Sequence, residues 1–193
     1  MAVLITGGAG YIGSHTAAEL IDAGEETVII DNLQKGHKDA VRGGKLYIGD
    51  LRDDEFLDKV FRENDIMEVI HFAADSLVGE SMENPLKYYD NNVISTINLM
   101  KKMKQYNVKR IVFSSTAAVY GEPKSVPITE EHITNPTNTY GETKLAVEKA
   151  MQWVDKAYGI KFISLRYFNA SGAHPNGLIG EDHRPESHLI PLI

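Results

Sequence analysis

The chain alternates short, continuous apolar runs with longer stretches whose apolar residues recur every three or four positions. The short runs are Ala2–Thr6, Thr27–Ile30, Leu46–Ile48, Val69–Ala73, Arg110–Ser114 and Phe162–Arg166. They have strand length, and most are unbroken rather than alternating, as strands covered on both faces should be. The longer stretches predict helices. Tyr11–Ala23 stops at Gly24, a residue type that ends helices. Glu55–Glu63 follows. Pro85–Tyr106 opens with Asn84 as N-cap and Pro85 in the first position, and Leu86, Tyr89, Val93, Ile97, Met100 and Met103 form one stripe along it. Glu142–Tyr158 repeats the pattern through Leu145, Met151 and Val154. Strands and helices in strict alternation predict an α/β fold with a parallel, doubly wound sheet of the Rossmann type. Val119–Thr139, rich in Pro, Thr and Asn, reads as a long loop, and loops of that length in compact domains usually serve function or move.

Composition narrows the classes. The 193 residues suffice for one substantial domain and the start of another. A formal net charge of −7 argues against a general nucleic-acid binder, which needs clustered Lys and Arg to meet phosphates. There is no cysteine, so no disulfide framework, thiol nucleophile or cysteine metal site. The first apolar run is short and stopped by glycine, which does not read as a signal peptide. No apolar segment has the length to span a membrane. The expectation is a soluble, cytoplasmic protein.

Candidate chemistry begins right after the first strand, in "TGGAGYIG" from Thr6 to Gly13. Glycine weakens a regular element unless the backbone needs its freedom. Gly8, Gly10 and Gly13 fit G-x-G-x-x-G, and Gly7, Gly10 and Gly13 fit G-x-x-G-x-x-G. Either pattern alone is weak; between a first strand and a first helix it has a mechanism. The glycines allow a tight turn and let a pyrophosphate reach the helix N-terminus, whose amides favour anions. The second strand leads into Asp31, a carboxylate placed to accept from adenosine ribose hydroxyls and to repel a 2′-phosphate. A dinucleotide is expected, NAD rather than NADP. Asp50-Leu51 follows the third strand, where Asp50 can meet the adenine or simply cap the next helix. His71 reads as a packed, hydrogen-bonded residue rather than a catalyst.

A second constellation lies further on. "YGETK" sets Tyr140 and Lys144 four apart at a helix start, on one face. An ammonium beside a phenol favours the phenolate, which makes Tyr140 a candidate general base. "FSSTAAVYG" puts Ser114, Ser115 and Thr116 at the carboxyl end of the fifth strand, where open α/β sheets bind ligands. For Ser114 the plain strand-end reading is preferred. The order of glycine loop, strand-end hydroxyl, then Tyr and Lys carries more than any one piece.

With these residues in view, the chain resembles the extended short-chain dehydrogenase/reductases, and within them the UDP-glucose 4-epimerase family. The matching stretches are "TGGAGYIGSHT", "DNL", "GDLRD", "VIHFAA", "VGESMENPLKYYDNNV", "FSSTAAVYGE", "NPTNTYGETK" and "LRYFNASGAHPNGLIGEDHRPESHLIPLI", nearly the whole chain. The last is the most specific. The resemblance implies that Tyr140 is the catalytic base, that Lys144 binds the nicotinamide ribose and that Thr116 hydrogen-bonds the reacting sugar hydroxyl. It implies an NAD site lined by Gly7, Gly10, Tyr11, Ile12, Gly13, Asp31, Asn32, Asp50, Leu51, Phe72, Ala73, Ala74, Ser76, Asn91, Thr116, Tyr140, Lys144 and Phe168. Asn169, His188 and Leu189, with Thr116 and Tyr140, would contact the UDP-sugar. The implied reaction interconverts UDP-glucose and UDP-galactose: Tyr140 removes the 4-hydroxyl proton as C4 gives up hydride, the 4-keto sugar turns over, and hydride returns to the opposite face.

Some epimerases carry lysine where this chain has Ser76, and asparagine where it has His188. A nucleotide-sugar dehydratase on the same scaffold is the nearest rival, but that family places carboxylates after the strand-end hydroxyl, where this chain has Ala117 and Ala118. A non-enzymatic dinucleotide sensor is the rival from another class, and retention of Thr116, Tyr140 and Lys144 argues against it. The resemblance also implies a homodimer built as a four-helix bundle from Pro85–Tyr106 and Glu142–Tyr158. It divides the chain into an NAD-binding domain over residues 1–170 and the start of a substrate domain over 171–193. Family members continue well beyond this length, so residues 1–193 alone are expected to bind NAD without detectable epimerisation.

Overall fold

The computed structural model describes residues 1–183, 186 and 189–193. Its strands are β1 (Ala2–Thr6), β2 (Glu26–Asp31), β3 (Lys45–Ile48), β4 (Ile66–His71), β5 (Arg110–Thr116) and β6 (Lys161–Tyr167). Its helices are α1 (Tyr11–Asp22), α2 (Asp54–Glu63), α3 (Val78–Glu83), α4 (Pro85–Tyr88), α5 (Ser95–Gln105), α6 (Thr139–Tyr158) and α7 (Leu189–Leu192). Strand and helix alternate, and this is the parallel, doubly wound α/β architecture expected from the sequence. The residues fall into two compact units, Met1–Ala73 with Asn169–Ile193, and Ala74–Phe168. Among the described residues no helix is long and apolar enough to cross a membrane.

In the first unit the strand order is β3-β2-β1-β4, all parallel. Leu4, Ile5, Val28, Ile29 and Ile30 are almost wholly buried, as the unbroken apolar runs required. Ile5 and Ile29 pack on Ala17 of α1, with Leu20, Leu46 and Phe72 around them. Helix α1 stops where expected: Ala23 is its C-cap and Gly24 takes φ +85°, its amide donating to the Ile21 carbonyl. β4 ends at His71, not at Ala73. The amides of Phe72 and Ala73 both donate to the Thr6 carbonyl, which folds the chain over the end of β1 in place of a further ladder step. His71 itself is buried and its Nδ1 lies 2.5 Å from the Thr6 hydroxyl, the packed role expected of it.

In the second unit β5 and β6 pair in parallel, with Ser115 opposite Arg166 and Thr116 opposite Tyr167. Tyr88, Leu99, Met103, Phe113, Val147 and Met151 are buried. The structure differs from the sequence reading at four places here. The stretch Pro85–Tyr106 is not one regular helix: Tyr89–Ile94 forms a π turn joining α4 to α5. Within it the carbonyls of Asn91 and Asn92 accept from the hydroxyls of Ser95 and Thr96. α3 was not read at all, because six residues containing Gly79 give no periodic stripe. And α6 starts at Thr139, since Asn138 caps it by accepting from the Gly141 amide at 2.8 Å. Finally, β6 is not covered on both faces. Ile163 and Leu165 are 59% and 39% exposed.

Candidate active site

The first unit carries the glycine turn. Gly7 sits at φ +70°, a conformation that favours glycine, and a side chain there would meet the Ala73 amide nitrogen at 2.6 Å. At Gly13 a Cβ would lie 2.2 Å from the Gly7 carbonyl oxygen, so this glycine lets α1 pack directly on the turn. Gly10 differs. An added Cβ would meet the Gly7 oxygen at 3.3 Å, a tight contact but far less severe than at Gly7 or Gly13. Gly10 is the N-cap of α1 and makes no side-chain cap, and Tyr11 and Ile12 form the first turn, with amides directed outward at the positive end of the helix. The turn thus ends at first-turn amides of the kind that favour an anion.

Asp31 closes the other side of this turn. One carboxylate oxygen accepts from the Ala9 amide at 2.9 Å and the other from the Leu33 amide at 2.8 Å. Each oxygen keeps a second lone pair for a further donor. Asn32 donates to Asp50 at 3.5 Å. Asp50 was expected either to meet adenine or to cap the next helix. The cap of α2 is Asp53, whose side chain accepts from the Phe56 amide, so the capping alternative fails. Asp50 is instead gripped by Arg52 through Nε and Nη2 at 2.9 and 2.7 Å, which holds its carboxyl at about 2. Leu51 is buried beside it in sequence. The Tyr11 hydroxyl donates to the Gly172 carbonyl at 2.6 Å, and Asn169 is exposed. His188 lies outside the described residues, and Leu189 opens α7.

The second unit carries the hydroxyl, phenol and lysine. Thr116 caps the 3-10 turn Ala117–Tyr120 by accepting from the Ala118 amide at 3.1 Å. Lys144 is fully buried, its Nζ donating to the Ser114 carbonyl at 2.8 Å and lying 5.8 Å from the centre of the Tyr140 ring. The three residues therefore come together as expected. Their electrostatics do not follow the expectation. Burial raises the Tyr140 pKa, and Thr116 opposes that rise by bonding the phenolate form. Burial also pushes Lys144 down to about 7, so its charge is only partly present at neutral pH.

Other expected residues are placed less tightly. Asn91 donates to the Asp75 carboxylate at 3.1 Å, from the π turn. Ser76 is exposed, and Phe168 is 65% exposed at the end of its unit. The structure adds residues that the sequence did not mark. The buried Ser81 accepts from the Tyr140 amide at 3.1 Å and so supplies a partner to a first-turn donor. Asn92 clamps both backbone groups of Asp75 and donates to the Thr143 hydroxyl at 3.2 Å. Glu148, one turn past Lys144, is buried against Ser115 and Arg166. Only this last had a signal, a carboxylate at helical spacing from Lys144.

Comparison with known proteins agrees along the whole length. The profile of the NAD dependent epimerase/dehydratase family matches residues 3–193. The chain is 60% identical over 193 residues to a UDP-glucose 4-epimerase of Halalkalibacterium halodurans, covering all of this chain and 58% of that protein. It is 58% identical to a UDP-glucose 4-epimerase of Streptococcus mutans, covering all of this chain and 59% of that protein. A crystal structure of UDP-glucose 4-epimerase matches with a TM-score of 0.98 at 57% identity, over 100% of this chain and 59% of that one. The UDP-glucose 4-epimerase from Brucella ovis in complex with NAD matches with a TM-score of 0.97 at 46% identity, over 99% and 59%. The chain thus spans a little under three fifths of the length of the curated relatives it matches.

Proposed function

The chain belongs to the NAD dependent epimerase/dehydratase family, and on that premise we propose that the protein interconverts UDP-glucose and UDP-galactose with NAD as its resident cofactor. The observation that carries the reading is the buried Lys144 with its Nζ 5.8 Å from the centre of the Tyr140 ring, one helical turn along α6, together with the Thr116 hydroxyl at the end of β5. Identity of 60% to a UDP-glucose 4-epimerase supports the particular reaction. Ala117 and Ala118 support it too, because a dehydratase needs proton-transferring side chains after the strand-end hydroxyl and alanine has none. Residues 1–193 span only part of the length of the relatives, so turnover is proposed for the whole protein and NAD binding for these residues.

In this reading the turn at Gly10, with Gly7, Tyr11, Ile12 and Gly13, receives the pyrophosphate, and the spare lone pairs of Asp31 take the adenosine ribose hydroxyls. The Asp31 carboxylate would repel a 2′-phosphate, which favours NAD over NADP. Asn32, Asp50 and Leu51 line the adenine side; Phe72, Ala73, Ala74, Ser76, Asn91 and Phe168 line the remainder, with Lys144 at the second ribose. When bound, NAD would supply the acceptor and donor of hydride for C4 of the sugar. Tyr140 accepts the proton of the 4-hydroxyl and later gives it back. Thr116, at the end of β5, holds the same sugar oxygen through its hydroxyl. Asn169, His188 and Leu189 contact the uridine diphosphate. The test is formation of UDP-glucose from UDP-galactose by the whole protein, without net accumulation of reduced cofactor. Cofactor binding with no interconversion would contradict it.

The protein is further proposed to pair as a homodimer through a four-helix bundle. In the second unit Leu86, Ile94 and Trp153 are 79%, 49% and 68% exposed, an apolar display that partners usually cover. Light scattering should give twice the chain mass; a monomer mass at micromolar concentration would refute the dimer.

A further inference from the structure

Helix α6 meets the end of β5 through two successive residues of the strand. The Ser114 carbonyl accepts from Lys144, and the Ser115 hydroxyl donates to the Glu148 carboxylate. Tyr140, Lys144 and Glu148 are spaced one turn apart on α6. Ser115 and Glu148 are 2% and 4% exposed, so this second link lies in the interior.

Glu148 is not left alone there. Arg166 of β6, directly opposite Ser115 in the parallel register, donates to it through Nη2 at 2.7 Å and Nε at 3.1 Å. The remaining Nη1 donates to the Tyr120 hydroxyl at 2.9 Å, and the guanidinium lies 4.8 Å from the centre of that ring. Tyr120 ends the 3-10 turn that Thr116 caps. One guanidinium therefore fixes both the carboxylate on α6 and the turn that follows Thr116. Burying an ion pair is costly, and apolar residues of the same shape often serve stability as well or better. What such a pair supplies is fixed geometry. The geometry fixed here is the register of α6 on β5.

We infer that Glu148, locked by Arg166, is a positioning residue for Tyr140: through Ser115 it holds α6 in register on the end of β5, so that Tyr140 and Lys144 keep their place beside Thr116. The inference rests on the reading of Tyr140 as the proton-transfer group. Glu148 and Ser115 bond each other and not the phenol, so their effect passes through the seating of α6.

The test uses Ser115→Ala, which leaves Glu148 and Arg166 paired and the fold intact. Tyr140 titration is followed by NMR on protein with carbon-13 tyrosine rings, the Tyr140 signal being identified by its loss in Tyr140→Phe. Thr116 stabilises the phenolate, so loosening it should move the titration to higher pH in Ser115→Ala. In the interconversion assay of the whole protein, kcat should fall about 10-fold or more with KM nearly unchanged, since misplacement of a reacting group by a fraction of an ångström acts on turnover. Glu148→Leu combined with Ser115→Ala should be no worse than Glu148→Leu alone, because leucine already removes the acceptor of the Ser115 hydroxyl. A Tyr140 titration and kcat unchanged in Ser115→Ala would overturn the positioning role while leaving the proposed function standing. Full turnover in Tyr140→Phe would overturn both.

Discussion

The Lys144 ammonium group donates to the backbone carbonyl of Ser114 at 2.8 Å, and that single bond ties the lysine to the strand rather than to the phenol four residues before it in the helix. The lysine is buried and sits 4.9 Å from the centre of the Phe113 ring. Its charge is disfavoured there, and its pKa falls to about 7. In the unfolded chain a lysine titrates near 10.5. Between these values the unfolded state binds a proton that the folded state does not, so stability rises as pH rises through that window.

Lys144→Met should remove that rise. Urea unfolding at several pH values between about 7 and 10 should show stability climbing with pH in the parent and a flatter line in the variant. Equal slopes would mean that the lysine keeps its charge in the fold. Turnover of the whole protein should fall in the same variant.

The two glycines Gly10 and Gly13 should separate binding from folding. Gly10→Ala brings a methyl to 3.3 Å from one carbonyl oxygen, so its thermal midpoint should stay close to the parent while NAD affinity drops, because the methyl enters the pyrophosphate path. Gly13→Ala drives a methyl to 2.2 Å from the Gly7 oxygen and should cost about 2–3 kcal/mol of stability. Calorimetry and thermal melts on both variants check this. Two variants with the same profile would contradict the division of labour.

Asp31→Asn should act twice. An amide offers one acceptor where the carboxylate offers two, so either the Ala9 or the Leu33 amide loses its partner, at about 1–3 kcal/mol. The loss of charge should also narrow the preference for NAD over NADP. Titration with both cofactors reads this directly, and an unchanged ratio would detach Asp31 from cofactor choice.

Ser81→Ala should leave the Tyr140 amide without its acceptor and loosen the first turn of α6, by about 1–3 kcal/mol. Amide hydrogen exchange at Tyr140 should speed up. Exchange as slow as in the parent would show that another group takes over.

Much of this was readable in advance where the determinants are local. The runs that became β1, β2 and β3 are apolar enough to declare themselves, and the stop at Gly24 needs only a left-handed glycine. The glycine turn, Asp31, and the Tyr140–Lys144 spacing are local too. What escaped depends on distant partners. The Tyr140 amide finds Ser81 59 residues away, in a helix too short to leave a periodic trace. The grip of Arg166 on Glu148 spans 18 residues and two elements. The π turn at Tyr89–Ile94 carries hydroxyl bonds from Ser95 and Thr96 to the Asn91 and Asn92 carbonyls, and those two residues look ordinary in sequence. The pKa of Lys144 was misjudged for the same reason, since burial is a property of the fold and not of the motif.

The central claim is that the Tyr140 hydroxyl transfers the proton, and Tyr140→Phe tests it most directly, because the change removes one oxygen and keeps the ring. In the whole protein, interconversion of UDP-glucose and UDP-galactose should fall about 10²–10⁴-fold, the usual contribution of a general acid–base group, while calorimetry shows NAD still bound with near-parent affinity. Turnover close to that of the parent would contradict the claim and move the proton to another group, Thr116 first.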